Sequence, residues 1–408
     1  MNLNGVNQFN RILPKVAKQT ETVKPQKEAE VTEQSDKKGD SGCLKSYFAG
    51  AKNVSFGHYC STASFQVKKL KDVPCCCCGK PMLRESDLEI CQNALANTSG
   101  RELAANIKEY SKYMRADEKA LASILAAEAI KSGKDISHSL GSAGKNLTKY
   151  ITDYNNGILT QINKLSEKSF KDKENPVTKL ISETQKSMAV NGDLDRTDFV
   201  EKLDEAVKSL PEKERNLIQD TAMNLPQSFH HVEKIHEKYS DKNNMKLARR
   251  LFSTALTTAE HIHPHSLGGP DDTKNYIAEC AGCNNPRGNM SYAEWLKIHP
   301  EYPRKAQEHI EHVEACIING ELPETYQCYP VEVRQSLSQE SGGRMVLKVL
   351  TPATIKKIRE QKNLGEKTTV EDVKQEYEKQ EKEKAKKIAE RDEYYSKINN
   401  NEEKQEDK

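Results

Sequence analysis

The residues best suited to chemistry crowd into one stretch, TTAEHIHPHSLGGPDDTKNYIAECAGCNNPRGNMSYAEWL. Glu260 offers a carboxylate oxygen and Asn284 an amide oxygen, both suitable ligands for a hard cation such as Mg²⁺ or Mn²⁺. His261, beside them in sequence, is a side chain that can deprotonate water near neutral pH. An ion held there would stabilise charge on a phosphate and on its leaving oxygen. Together these groups suffice for phosphodiester hydrolysis. Cys280 and Cys283 form a C-x-x-C pair, the spacing of half a structural zinc site.

The local pattern supplies the elements needed to position these groups. A short strand is expected to end at Glu260-His261-Ile262. Gly268-Gly269-Pro270-Asp271-Asp272 is strong turn chemistry. Asn275 to Ala278 can form a second strand, and a helix is expected from about Asn284 with Pro286 in its first turn. The order strand, loop, strand, helix can bring Glu260, His261 and Asn284 together. If the first strand alternates, His263 shares a face with His261. His263 and His265 read more readily as loop residues than as ligands, and His230, His231 and His236 as helix surface or packing residues.

The stretch resembles the HNH endonuclease family, whose site is a ββα-metal fold. The residues that carry the resemblance are Glu260-His261-Ile262-His263-Pro264-His265-Ser266-Leu267-Gly268-Gly269, then Asn275, then Cys280-Ala281-Gly282-Cys283-Asn284-Asn285-Pro286-Arg287-Gly288. The resemblance implies His261 as general base and Glu260 with Asn284 as holders of a divalent ion. It implies Asn275 as the brace of the loop presenting His261, through backbone hydrogen bonds, and Arg287 as a phosphate contact. The family's acidic position is often Asp, and Glu260 is one methylene longer.

Zinc-binding relatives of this pattern carry a second C-x-x-C upstream. Here the upstream candidate is Pro74-Cys75-Cys76-Cys77-Cys78-Gly79, where Cys75 and Cys78 have the ligand spacing and Gly79 allows a tight turn. Cys76 or Cys77 could replace a neighbour, and the four could bind metal separately or simply be reactive. Joined with Cys280 and Cys283 they would give a closed, structural Zn²⁺ site. The two halves stand about 200 residues apart, against roughly 15–20 in a compact ribbon. The intervening chain would then be an insertion with adjacent ends, which closure entropy permits. Cys43, Cys60, Cys91, Cys316 and Cys328 read as ordinary thiols.

The rest of the chain must scaffold these groups. Apolar stripes such as Leu103, Ile107, Tyr110 and Met114, or Ile151, Tyr154, Ile158, Ile162 and Leu165, predict helices packed on one another over 84–250. Residues 1–42 read as a disordered segment, 43–83 as a zinc-knuckle unit and 251–300 as the nuclease core. Residues 301–365 read as an extension with a helix around Arg304 to Ile318 and a short strand at Met345 to Leu350. Residues 366–408 read as a charged helical or disordered tail. The fold expected is therefore α+β, mostly α, with a small ββα-metal unit, a large inserted helical bundle and solvated ends.

Composition fits that organisation. Of 408 residues, 35% are hydrophobic and 30% charged, and the mean hydropathy of −0.83 is more polar than usual for a globular domain. The formal net charge of +2 does not announce a nucleic-acid binder, though a nuclease needs only a local basic groove. No run of about 18 apolar residues suggests a membrane span. The first residues, MNLNGVNQFN, lack an apolar signal core, so a cytoplasmic location is expected, with reduced thiols. The partner expected is nucleic acid, in the first instance DNA, with a protein partner open through the helical region or tail. Two other readings share these features: a non-catalytic, zinc-stabilised nucleic-acid-binding module, and a toxin or complex subunit whose helical region mediates interactions.

Overall fold

A computed structural model of the chain describes residues 62, 64–171, 175–361 and 367–406, with side chains to residue 391. The expected disordered segment 1–42, and Cys43 and Cys60, lie outside the described residues. No helix among those described is long and apolar enough to cross a membrane.

The architecture is α+β and mostly helical. Helices α1 (Glu85–Ala96), α2 (Gly100–Tyr110), α3 (Ala116–Ser132), α4 (Ile136–Gly144) and α5 (Leu147–Phe170) come first. They are followed by α6 (Pro176–Asn191), α7 (Arg196–Val207), α8 (Glu212–Ala222), α9 (Phe229–Tyr239) and α10 (Asn244–Ser253). Strands β1 (Thr257–His261) and β2 (Tyr276–Cys280) form a two-stranded antiparallel sheet. Helices α11 (Ala281–Arg287), α12 (Tyr292–Ile298), α13 (Tyr302–Ile318), α14 (Tyr329–Glu340), α15 (Pro352–Gln361) and α16 (Val370–Glu406) complete the chain.

Local chemistry sets many of the helix ends. The side chains of Asp135, Asn175, Asp195, Ser228 and Asn243 accept hydrogen bonds from backbone N–H groups in the first turns of α4, α6, α7, α9 and α10. Pro176 opens α6, where its missing N–H costs nothing. Gly133 and Gly192 end α3 and α6 in the left-handed conformation that only glycine adopts freely.

The apolar stripes condense into separate cores. One gathers α1 to α4, the start of α5, α9 and α10 around Leu103, Leu121, Leu125 and Phe252. A second joins the rest of α5 to α6, α7 and α8 around Leu159, Phe199 and Leu203. The long α5 spans both: Leu147 and Ile151 belong to the first, Ile158 and Ile162 to the second. The third core packs residues 65–82 with the β-hairpin and α12 to α16, including Phe65, Tyr276, Tyr292 and Tyr302.

The ends of the helical stretch meet. Leu83 forms a parallel bridge with Leu256. The Leu83 N–H donates to Ala255 O, and the Thr257 N–H donates to Leu83 O, each at 2.9 Å. The chain therefore leaves the third core and returns to it at one place, the adjacency that a long insertion requires.

Two local expectations are corrected. Residues 345–350 do not form a strand. Their N–H groups are met by side chains instead: Met345 by Ser341, Lys348 by Gln307 and Leu350 by Glu314. Met345, Leu347 and Leu350 are buried, so the apolar alternation records burial of an extended segment rather than sheet pairing. The helix after β2 begins at Ala281, so Pro286 lies within its second turn rather than its first. The helix stops at Arg287, followed by Gly288 at φ +53°.

Candidate functional site

The sheet register orders the site. Glu260 pairs with Ile277 and His261 with Tyr276. Side chains alternate across a strand, so Thr258 and Glu260 share one face of β1 and Ala259 and His261 the other. Helix α11 packs on the Glu260 face. There the Asn284 amide nitrogen donates to Thr258 Oγ1 at 2.8 Å, leaving the amide oxygen as its ligand atom. Glu260 is only 5% exposed, and Arg287 Nη2 donates to its carboxylate and to the carbonyl of His261.

Arg287 is itself 2% exposed. Its other nitrogen donates to Met290 O at 2.6 Å, and its guanidinium lies 4.6 Å over the Tyr292 ring. The structure therefore places Arg287 inside the fold as the counter-charge of Glu260, away from any surface phosphate. One cation already neutralises the buried carboxylate, which would otherwise be costly.

On the opposite face, the His261 ring stacks edge-on against Tyr276, with centroids 4.7 Å apart. Its Nε2 lies 2.9 Å from Asp271 Oδ1, which also accepts the Tyr276 hydroxyl at 2.7 Å. These two hydrogen bonds, from His261 first and Tyr276 second, hold the Asp271 carboxyl below its ordinary range. The carboxylate accepting Nε2–H fixes the tautomer that leaves the lone pair on Nδ1. From sequence Asp271 is expected only to shape a turn; the doubled aspartate after Gly-Gly-Pro is the one signal of its further role.

The loop between the strands is pinned by Asn275. Its Nδ2 donates to His263 O and Pro270 O, each at 3.0 Å, and its Oδ1 accepts the His263 N–H at 2.8 Å. Its carbonyl accepts the Ile262 N–H at 2.7 Å. Gly269 sits where a Cβ would collide with the His263 carbonyl, so this turn tolerates no side chain there. His263 bridges Glu340 and the Leu267 carbonyl, contacts that raise its pKa, with Glu340 the larger cause. The His265 ring lies 5.4 Å from that of His261.

The cysteines form a separate centre. The sulfurs of Cys75, Cys78, Cys280 and Cys283 lie within 4.8 Å of one another. The Cys75–Cys78 turn is a tight one: the Gly79 N–H donates to Cys75 O at 2.8 Å, the Cys75 N–H donates to Lys80 O at 2.9 Å, and Gly79 takes φ +68°. The Cys280 N–H donates to Cys75 Sγ at 3.3 Å, tying the knuckle to the end of β2. Burial pushes the Cys75 and Cys280 thiols well up, while neighbouring thiols donating to Cys78 draw it well down. Four sulfurs at this spacing fit a tetrahedral thiophilic ion.

Two cations surround this cluster that the sequence did not flag. Arg115, at the start of α3, donates from Nε to Cys280 Sγ at 3.1 Å. The Lys80 ammonium is buried without a hydrogen-bond partner, and burial pushes its pKa down to about 8. Among the described residues, the His, Cys, Asp and Glu sets close enough to share an ion are this one and Cys77 with Glu279 and Cys283. Glu260 and His261 belong to neither.

Residues 248–290 match the HNH endonuclease family. The match runs from the last turns of α10 through β1, β2 and α11, so this part of the chain is similar to the HNH endonuclease domain. Comparisons with curated proteins and with solved structures found no significant match.

Proposed function

We propose that the chain is a metal-dependent HNH endonuclease that hydrolyses phosphodiester bonds in DNA, with His261 as the general base. The observation that supports this most strongly is the arrangement of His261 at the end of β1. Its Nε2 side is held by Asp271, and Asn275 clamps the loop that follows it, within a segment matching the family. Imidazole Nδ1 accepts a proton from the attacking water, and the Asp271 carboxylate stabilises the imidazolium that results. This is the division of labour of a base and its orienting acid.

Glu260 and Asn284, on the α11 face of β1, are the hard oxygen donors for Mg²⁺ or Mn²⁺. The fit rests on their oxygen chemistry alone, and an ion there would share Glu260 with the Arg287 guanidinium that already meets it. When bound, such an ion supplies charge stabilisation at the phosphate and leaving oxygen. Glu260 would hold such an ion together with Asn284, while Arg287 fixes the carboxylate's position. Cys75, Cys78, Cys280 and Cys283 would hold a structural Zn²⁺, and a site closed by four thiolates would serve the fold rather than a substrate.

A basic groove of about 340 Å³ supports nucleic acid as the substrate. It is lined by Lys238, Lys242, Lys246, Arg249 and Arg250 at α9 and α10, and α10 leads directly into β1. Lys238 and Lys246 enter no ion pair among the described residues and are available for phosphates. The test is cleavage of plasmid DNA by the purified full chain with Mg²⁺ or Mn²⁺. Nicking is expected, and a fall of roughly 10²–10⁴-fold in His261→Ala at unchanged melting temperature. Binding without cleavage by the wild-type chain would leave a zinc-stabilised binding module instead.

A further inference from the structure

From the placement of Cys77, Glu279 and Cys283 we infer a second thiophilic metal site beside the four-cysteine centre, with Cys283 bridging the two ions. The Cys77 and Cys283 sulfurs and a Glu279 carboxylate oxygen lie within 4.8 Å of one another. Cys77 is 1% exposed and Glu279 0%. Apart from the adjacent Cys77 thiol, neither carboxylate oxygen of Glu279 has a hydrogen-bond partner among the described residues. A carboxyl sealed in the interior with only thiols beside it must keep its proton or meet a cation, and among the described residues no guanidinium or ammonium is paired with it.

Cys77 is not a spare ligand of the first site. It shares its set with Cys283 but not with Cys75 or Cys280, so the four consecutive cysteines divide their work. Cys75 and Cys78 face the four-sulfur centre, Cys77 faces Glu279, and Cys76 contacts the Tyr302 hydroxyl at 3.0 Å. Charge supports occupancy of both positions. A divalent ion with four thiolates carries two negative charges, which the adjacent Arg115 and Lys80 match. A second divalent ion joined by the Cys77 thiolate and the Glu279 carboxylate adds no net charge, so the same two cations balance the pair of ions. Two sulfurs and a carboxylate suit Zn²⁺, or Cd²⁺ as its probe, and leave one tetrahedral position for water.

This inference rests on the four-cysteine reading and is independent of the nuclease reading. The experiment is ¹¹³Cd NMR of the full chain loaded with ¹¹³Cd²⁺. Two resonances from thiolate-bound cadmium are expected, one from four sulfurs and one shifted toward mixed sulfur–oxygen ligation. A catalytic ion bound by oxygen donors would resonate far from both. Glu279→Gln, which keeps the side-chain shape, and Cys77→Ser should each remove the second resonance and retain the first, which reports that the knuckle is folded. A single thiolate resonance in the wild-type chain overturns the second site. So does a second resonance that persists in Glu279→Gln, whatever the fate of Cys77→Ser. Absence of the four-sulfur resonance in the wild-type chain would overturn the first site, a different failure.

Discussion

The cysteine centre and the His261 strand end sit at opposite ends of the same two strands and are built in opposite ways. The cysteine centre is assembled by burial: Cys75 and Cys280 are fully enclosed, and four sulfurs already stand at ligand spacing. The strand end is assembled by directed hydrogen bonds at a partly open edge. Asp271 holds one His261 nitrogen, Asn275 clamps the loop, and Arg287 balances Glu260. The contrast separates a part whose task is to exist from a part whose task is to meet a substrate. The first should fail as stability and the second as rate.

The largest effect expected is metal removal at the cysteine centre. A chelator that strips the thiolate-bound ion, or Cys280→Ser, should lower the melting temperature by roughly 10 °C or more, because binding energy of a structural ion is folding energy. A change of about a degree, read by calorimetry, would show that the cluster does not hold the third core together.

The same core borders a second buried group, the Glu314 carboxyl, whose contribution depends on pH. Burial pushes the Glu314 carboxyl up to about 8, while Tyr377 and the Leu350 N–H bond to it. Its folded value lies above the ordinary 4.5, so the folded state binds the extra proton. The resulting stabilisation is complete below pH 4.5 and is lost as pH rises through about 8. It amounts to a few kcal/mol, since each tenfold gain in proton affinity on folding is worth about 1.4 kcal/mol. Urea unfolding across that range should show this decline in the wild-type chain and a flatter profile in Glu314→Gln. Equal slopes would show that Glu314 plays no part in the pH dependence.

At the strand end, Asp271→Asn should lower single-turnover cleavage by roughly 10–100-fold through the wrong tautomer or a weaker base, with the melting temperature nearly unchanged. Loss of stability without loss of rate would reverse the contrast between the two regions. The smallest effect belongs to the groove. Replacing Lys238 and Lys246 by Ala should weaken DNA binding about equally across sequences and reduce the salt slope of log K by about 2. An unchanged slope would place the nucleic acid elsewhere.

The two regions also differed in how much the sequence disclosed. The strand–loop–strand–helix was legible because Gly268-Gly269-Pro270 marks the turn and alternation marks the strands. The helical stretch was legible because stripes such as Leu103 and Ile107 in α2 or Ile151, Ile158 and Ile162 in α5 keep a helical period. The pairing of Cys75 and Cys78 with Cys280 and Cys283 across the whole helical stretch was expected from the family resemblance together with C-x-x-C spacing, with Cys76 and Cys77 as alternatives, and the four sulfurs do lie together. The Glu260–Arg287 pair was not legible: an arginine two turns into a short helix looks like a surface cation until the register of β1 places a buried carboxylate opposite it. Arg115 and Glu279 were equally hidden, since lone charged residues carry no periodic signal and acquire meaning only from what surrounds them. Residues 345–350 misled because an apolar alternation satisfies burial in an extended segment as well as in a strand.

In the proposed reaction His261 removes a proton from the attacking water. The most direct measurement is single-turnover cleavage of a labelled DNA duplex by full-length His261→Ala, with Mg²⁺ or Mn²⁺, in the absence and presence of added imidazole. A general base at this position predicts a rate reduced by roughly 10²–10⁴-fold that recovers partly and in proportion to free-base imidazole. A His261→Ala rate equal to that of the wild-type chain, without imidazole, would contradict it.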